Sequence, residues 1–146
     1  MSWSEWQPLA QKSGYAGPAA YEVRIVTVAG PIPVPRFLAI DERGLLSIGE
    51  TGNFDSRRQA FIRGMETCSG HSEGNLLYYL LRHSPLKKVH PEHRLEYRFR
   101  KESDKAAAKL AEERMIKAYI RKFGEVPPIN SAIPDRYGNW ECDDAD

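Results

Sequence analysis

Three prolines at alternate positions, Pro31, Pro33 and Pro35, interrupt the stretch "AGPIPVP". Proline has no amide donor and a fixed φ, so this run cannot lie in the middle of a sheet. It must end whatever strand comes before it. The preceding residues, "YEVRIVTV" at 21–28, are β-branched and partly alternating, as a strand requires. Beyond the prolines, "RFLAI" and "LLSIG" joined by the turn "DERG" predict a hairpin.

Helical signals follow. Asn53 and Asp55 are both good N-caps, and Phe54, Phe61, Ile62 and Met65 form an apolar stripe on a helix running to about Met65. "ETCSGHSEGN" reads as a loop and "NLLYYLLRH" as a second short helix stopped before Pro85. "RLEYRFR" alternates, with Leu95, Tyr97 and Phe99 on one face of a strand. Ser103 is placed to cap a long helix through Lys122, closed by Gly124 and "VPP". Pro8, Gly14, Gly17 and Pro18 make residues 1–19 an irregular lead-in, and "ECDDAD" makes 131–146 an acidic, flexible tail. Between them, residues 20–130 predict a mixed α/β domain of the α+β type, a small and mostly antiparallel sheet flanked by helices.

The 146 residues suit one domain with a substantial core. No apolar run reaches the roughly 18 residues of a membrane span, and the N-terminus lacks the basic-then-apolar layout of a signal peptide. Cys68 and Cys142 are too few and too far apart for a disulfide framework or a cysteine metal site. A cytoplasmic protein without a membrane partner is expected. Net charge is only +1, which by itself points away from nucleic acid, but the charge is unevenly spread. Residues 82–122 hold 13 Lys and Arg against 6 Asp and Glu. Such a segment either steers a polyanion or forms a solvated, salt-bridged helix face.

Glu112 is the most informative polar residue. On the long helix it shares a face with Ala108, Met115, Ile116 and Tyr119. A carboxylate in that stripe must be paired, protonated or metal-bound, because burying it bare is costly. A core-facing arginine is one such partner. Its neighbour Glu113 has Lys109 and Lys117 four residues to either side, the layout of a surface ion-pair face. On the first helix Arg57 sits at the edge of the apolar stripe and Arg58 nearer its centre. Either can reach a phosphate through its planar donor fork, or lie over the sheet. Tyr21 opens the first strand, and His71 stands in a Gly/Ser loop beside a possible helix start. No Gly-rich phosphate loop, zinc motif or nucleophile elbow is present.

In that order the segments resemble the GIY-YIG nuclease superfamily, from about Ala19 to Asn130. "AAYEVRIV" stands at the first family motif, with Tyr21 at its tyrosine. "SIGETGNFDSRR" is similar to the second motif and the helix after it, and counting from Asn53 and Phe54 puts the family arginine at Arg57. "AEERMIKAYIRKFGEVPPIN" resembles the closing helix, a proline turn and an asparagine, which lands on Glu112 and Asn130. The chain departs from the pattern at Ala19 and Ala20, which replace a glycine and an isoleucine. It departs again at Ser47, which replaces the second-motif tyrosine, and in the proline-rich insert at 29–35.

The resemblance implies a divalent-metal-dependent endonuclease that hydrolyses phosphodiester bonds in nucleic acid, DNA first. Glu112 would hold Mg²⁺, with Mn²⁺ as its substitute, and Arg57 would bind the scissile phosphate. Tyr21 would orient or deprotonate the attacking water, with His71 as its proton acceptor. Arg58 and Asn130 would lie along the substrate, and Asn130 would brace the site. Ser47 cannot act as a phenol but could hold a water, leaving His71, Tyr78 or Tyr79 to fill the gap. The competing expectations are a non-catalytic nucleic-acid-binding module of the same fold and a protein-interaction domain using the acidic tail.

Overall fold

The computed structural model describes residues 2–130, so the acidic tail expected at 131–146 lies outside the described residues. Its centre is β2 (Ala19–Thr27), which the β-branched run at 21–28 foretold. One side of β2 pairs antiparallel with β7 (Arg94–Lys101) and the other with β6 (Leu45–Thr51). The register sets Tyr21 opposite Gly49 and Phe99, and Val23 opposite Ser47 and Tyr97. Small antiparallel sheet and flanking helices make this the α+β class expected.

The hairpin expected between "RFLAI" and "LLSIG" does not form. Instead β5 (Ile40–Asp41) pairs with β4 (Val34–Pro35) in a separate two-stranded ribbon, and "LLSIG" crosses to β2. The turn explains the difference. Asp41 is fully buried, and its carboxylate accepts from the Arg43 amide and the Tyr119 hydroxyl, each at 2.9 Å. Gly44 has a φ of +65°, and a Cβ there would lie 2.7 Å from the Ile25 carbonyl oxygen. The Ile25 amide donates to the Gly44 oxygen at 3.0 Å, so this turn docks onto β2 and delivers Leu45 to it. The prolines behave as their chemistry demands. Pro31 ends the two-residue β3 (Gly30–Pro31), paired to the end of β2, and Pro35 lies in the outer ribbon.

Residues 2–11, read as an irregular lead-in, complete the sheet. β1 (Gln7–Pro8) pairs with β7, the Ser4 amide donates to Phe99 O at 2.8 Å, and Leu9 N donates to Leu95 O at 3.0 Å. Trp3 and Trp6 lie against the guanidinium groups of Arg98 and Arg24, at 4.4 and 4.1 Å. A strand of two residues carries no alternation to read, and its partner is about 90 residues away in sequence.

Period-two alternation gives the sheet two faces. Tyr21, Val23, Ile25, Tyr97 and Phe99 pack with Phe54 and Phe61 of α1 (Phe54–Thr67) and Leu77 of α2 (Ser72–His83). On the other face Leu45 and Ile48 pack with Ile116, Tyr119 and Phe123 of α4 (Lys105–Phe123). Asn53 caps α1 through the Ser56 amide, as one of the two expected caps. α2 starts three residues earlier than its apolar run implied, because the His71 ring serves as its cap. The one-turn α3 (Leu86–Val89) follows Pro85 and went unpredicted. Asp104, not Ser103, caps α4, and Gly124 closes it with a φ of +81°. Among the described residues no helix is long and apolar enough to cross a membrane.

The Asp41 anchor gives a direct test of this account. Tyr119→Phe removes one donor from a buried carboxylate and should destabilise the fold by about 1–3 kcal/mol in urea unfolding, where a surface phenol would cost almost nothing.

Candidate active site

Tyr21 is buried near the start of β2, edge-on to Phe54 with ring centroids 5.7 Å apart. Its phenol lies across the neighbouring strand at Gly49. A Cβ on Gly49 would stand 2.2 Å from Tyr21 Cζ and 2.4 Å from the hydroxyl oxygen. The glycine is therefore the floor on which the phenol rests, a stronger reason for its presence than the turn chemistry nearby.

Arg57 emerges at the edge of the α1 stripe, half-buried, as its position on the helix implied. Its Nη1 lies 3.3 Å from His71 Nε2, while His71 Nδ1 accepts the Gly74 amide at 3.2 Å. Burial, and then the Arg57 charge, hold the imidazole pKa down to about 4, so His71 is neutral at pH 7. A neutral ring has one donor and one acceptor. With Nδ1 engaged by the cap, the proton sits on Nε2, and donor faces donor. An anionic oxygen beside both groups would satisfy that pair.

α2 reaches this place because two glycines let it touch α1. A Cβ on Gly74 would lie 2.6 Å from Phe61 O, and one on Gly64 would lie 3.1 Å from His71 O. The close crossing holds the first turn of α2 over the sheet and inserts a residue the sequence did not single out, Glu73. Its Oε2 is sealed from solvent and has no hydrogen-bond partner of ordinary geometry, and neither has Ser47 Oγ. Burial first, and then the Glu112 charge, raise the Glu73 pKa against the opposing pull of Ser47, Arg57 and Tyr21, leaving it at about 7. Glu73 was hard to find because an acid in the first turn of a helix is ordinary complement to the helix dipole.

Glu112 is buried on α4, within the stripe that the helical spacing assigned to it. α4 packs on β6, the sheet's outer strand beside β2, and from there the Glu112 charge acts on both Tyr21 and Glu73. The Tyr21 pKa is pushed well above its usual value, first by burial and then by Glu73, Glu112 and Glu50 against the opposing pull of Arg57. Glu50 is itself paired with Lys105 at 2.9 Å. Glu113 makes the expected i,i+4 pair with Lys117 at 2.9 Å. Tyr21, Arg57, His71 and Glu112 are thus brought into one electrostatic neighbourhood.

Other expectations are corrected. Arg58 is buried, and its Nη1 donates to Leu9 O at 2.9 Å, tying down the N-terminal segment instead of facing substrate. Asn130 spends its amide on one residue of the outer strand: Oδ1 accepts Ile48 N at 3.0 Å and Nδ2 donates to Ile48 O at 2.9 Å. It braces β6 and has no reach to a substrate. Ser47 is fully buried, so it cannot meet substrate from the surface. Tyr79 is largely exposed, edge-on to Tyr78 and tilted against His83, and Tyr78 lies under Arg82. The carboxyl beside Ser47 belongs to Glu73.

The acidic groups also bear on whether a cation suits the site. Among the described residues no group of three or more His, Cys, Asp and Glu converges in a metal-binding arrangement. Magnesium commonly takes one or two protein carboxylates and completes its shell with water and phosphate oxygens. A buried, hard-oxygen ligand such as Glu112, in a neighbourhood that also holds the Glu73 carboxyl, fits that habit. No protein-family model, curated protein or solved structure matches the chain.

Proposed function

We propose that this protein is a divalent-cation-dependent phosphodiester hydrolase acting on nucleic acid, DNA first, with a GIY-YIG-like site in a cytoplasmic protein. The observation that carries the reading is the meeting of Tyr21, Arg57 and Glu112. They come from a central strand and from helices on opposite faces of the sheet, yet the charges of Arg57 and Glu112 both act on the Tyr21 phenol. Chance packing seldom sets a desolvated phenol beside a half-buried guanidinium and a buried carboxylate.

Arg57 binds the scissile phosphate and offsets charge that grows in the transition state. The His71 Nε2–H adds a neutral donor on the same side. Tyr21, held between Phe54 and Gly49, orients the attacking water. Glu112 would hold Mg²⁺ or Mn²⁺, which when bound supplies charge neutralisation at the phosphate and leaving oxygen. The basic segment at 82–122 draws the polyanion toward the domain.

Incubation with supercoiled and branched DNA, with Mg²⁺ or Mn²⁺ and with EDTA, tests the reading. Cation-dependent nicking is expected, and cleavage that continues in EDTA would count against it. One observation favours a second reading, a binding module without catalysis: at the second-motif tyrosine stands a buried serine. That reading requires salt-sensitive DNA binding and no cleavage with either cation.

A further inference from the structure

Two polar atoms of the site, Ser47 Oγ and Glu73 Oε2, are sealed from solvent with no partner of ordinary hydrogen-bond geometry, and Ser47 and Tyr21 act on the Glu73 carboxyl from close by. Buried unpartnered oxygens are uncommon, and a matched pair beside a candidate catalytic phenol calls for a role. Their placement is built. β2 and β6 set Ser47 one pleat along from Gly49, on the face where the Tyr21 phenol lies. The Gly64–Gly74 crossing brings the first turn of α2 down on the same spot. A tyrosine at position 47 would extend from its strand into the region that the Glu73 carboxyl now occupies from the helix above.

We propose that Glu73 replaces the missing second phenol, as the proton acceptor that acts through Tyr21. This rests on the hydrolase reading above. As water oxygen bonds to phosphorus and the bond from phosphorus to the leaving oxygen breaks, the water gives one proton to Tyr21 Oη. Tyr21 passes its own proton to Glu73, the leaving oxygen takes a proton from solvent, and Glu73 later returns one there. Charge and protons balance without another reactant. The alternative acceptor, His71, is poorly suited, since its Nδ1 is committed to the α2 cap and its Nε2 faces Arg57.

The groups around Glu73 are Tyr21 on β2, Ser47 on β6, Arg57 on α1, Glu112 on α4 and His71 at its own cap. Burial, with Ser47, Glu112, Arg57 and Tyr21, leaves its pKa at about 7, where a base for neutral pH should stand. Glu73 touches no reacting atom in this scheme, so it is a positioning and proton-accepting residue rather than a catalytic one.

Two measurements on the full chain test it, each comparing Glu73→Gln with the parent. In single-turnover cleavage of branched DNA with Mg²⁺, the parent rate should climb through about pH 7 and then level. Glu73→Gln should be roughly 10²-fold slower at pH 8 and lose that climb. Parent-like rate and pH profile in the variant would overturn the proposal while leaving the hydrolase reading intact. Absence of cleavage by the parent would overturn both.

The second measurement needs no activity. Because its folded pKa lies above the unfolded one, Glu73 binds more protons when folded, so its contribution to stability falls as pH rises from about 4.5 toward 7. Glu73→Gln should therefore melt above the parent at pH 8, with the gap closing at pH 5. His71 titrates in both proteins and cancels. Equal melting temperatures at pH 8 would mean the carboxyl is not held in this desolvated position, and would overturn the proposal whatever the cleavage result.

Discussion

Glu112→Gln should lower cation-dependent cleavage by about 10³-fold or more while leaving the fold intact. Glutamine keeps the shape of the side chain and most of its packing on α4, but loses the charge that makes a hard-oxygen ligand. A bound cation contributes several kcal/mol of transition-state stabilisation, and roughly 1.4 kcal/mol is a factor of ten in rate. The melting temperature should move by no more than a few degrees. DNA binding in EDTA, which depends on Arg57 and the basic segment, should hold near the parent level. Cleavage that persists at the parent rate would remove Glu112 from the mechanism, and with it the site assignment.

Gly49→Ala should damage both stability and rate. A methyl group at this position would stand 2.2 Å from Tyr21 Cζ, far inside any real contact. The ring cannot simply swing away, because Phe54 packs against it and the residue is only 4 % exposed. Relief must come from tilting the phenol or separating β2 from β6, which should cost about 1–3 kcal/mol in denaturant unfolding. A displacement near an ångström at a catalytic group costs on the order of 10²-fold in rate. Cleavage measured well below the unfolding midpoint separates the two effects. If the variant is stable and fully active, Tyr21 does not need the pose described above.

How much of this was legible in the chain depended on distance along it. The helices announced themselves through local stripes and caps, and the wheel around Glu112 isolated the one acid that is buried on α4. The prolines at 31–35 correctly kept that segment out of the sheet's centre. Pairing was another matter. "DERG" carries good turn residues, so a local hairpin was the natural reading, yet Asp41 is buried against Tyr119, 78 residues further on. No local pattern encodes that contact. The site divides in the same way. Tyr21, Arg57 and Glu112 could be placed by motif order, whereas Glu73 acquires its environment only from two glycines that let helices touch. Arg58 and Asn130 were set along the substrate by the resemblance, although Arg58 lies near the centre of its apolar stripe and Asn130 was also expected to brace the site through its amide donors and acceptors. The fold spends those donors on the backbone of Leu9 and Ile48.

The N-terminal segment carries a consequence for handling the protein. Residues 2–11 occupy the outer edge of β7 through the Ser4 and Leu9 amides, the β1 pairing and two tryptophans laid on arginines. A version trimmed to start at Ala19, where the family resemblance begins, would leave β7 with a row of unsatisfied amides and carbonyls. Such an edge recruits strands from other copies of the same chain. Those first residues therefore act as a built-in safeguard against self-association, and a domain boundary drawn from motif similarity alone would discard it.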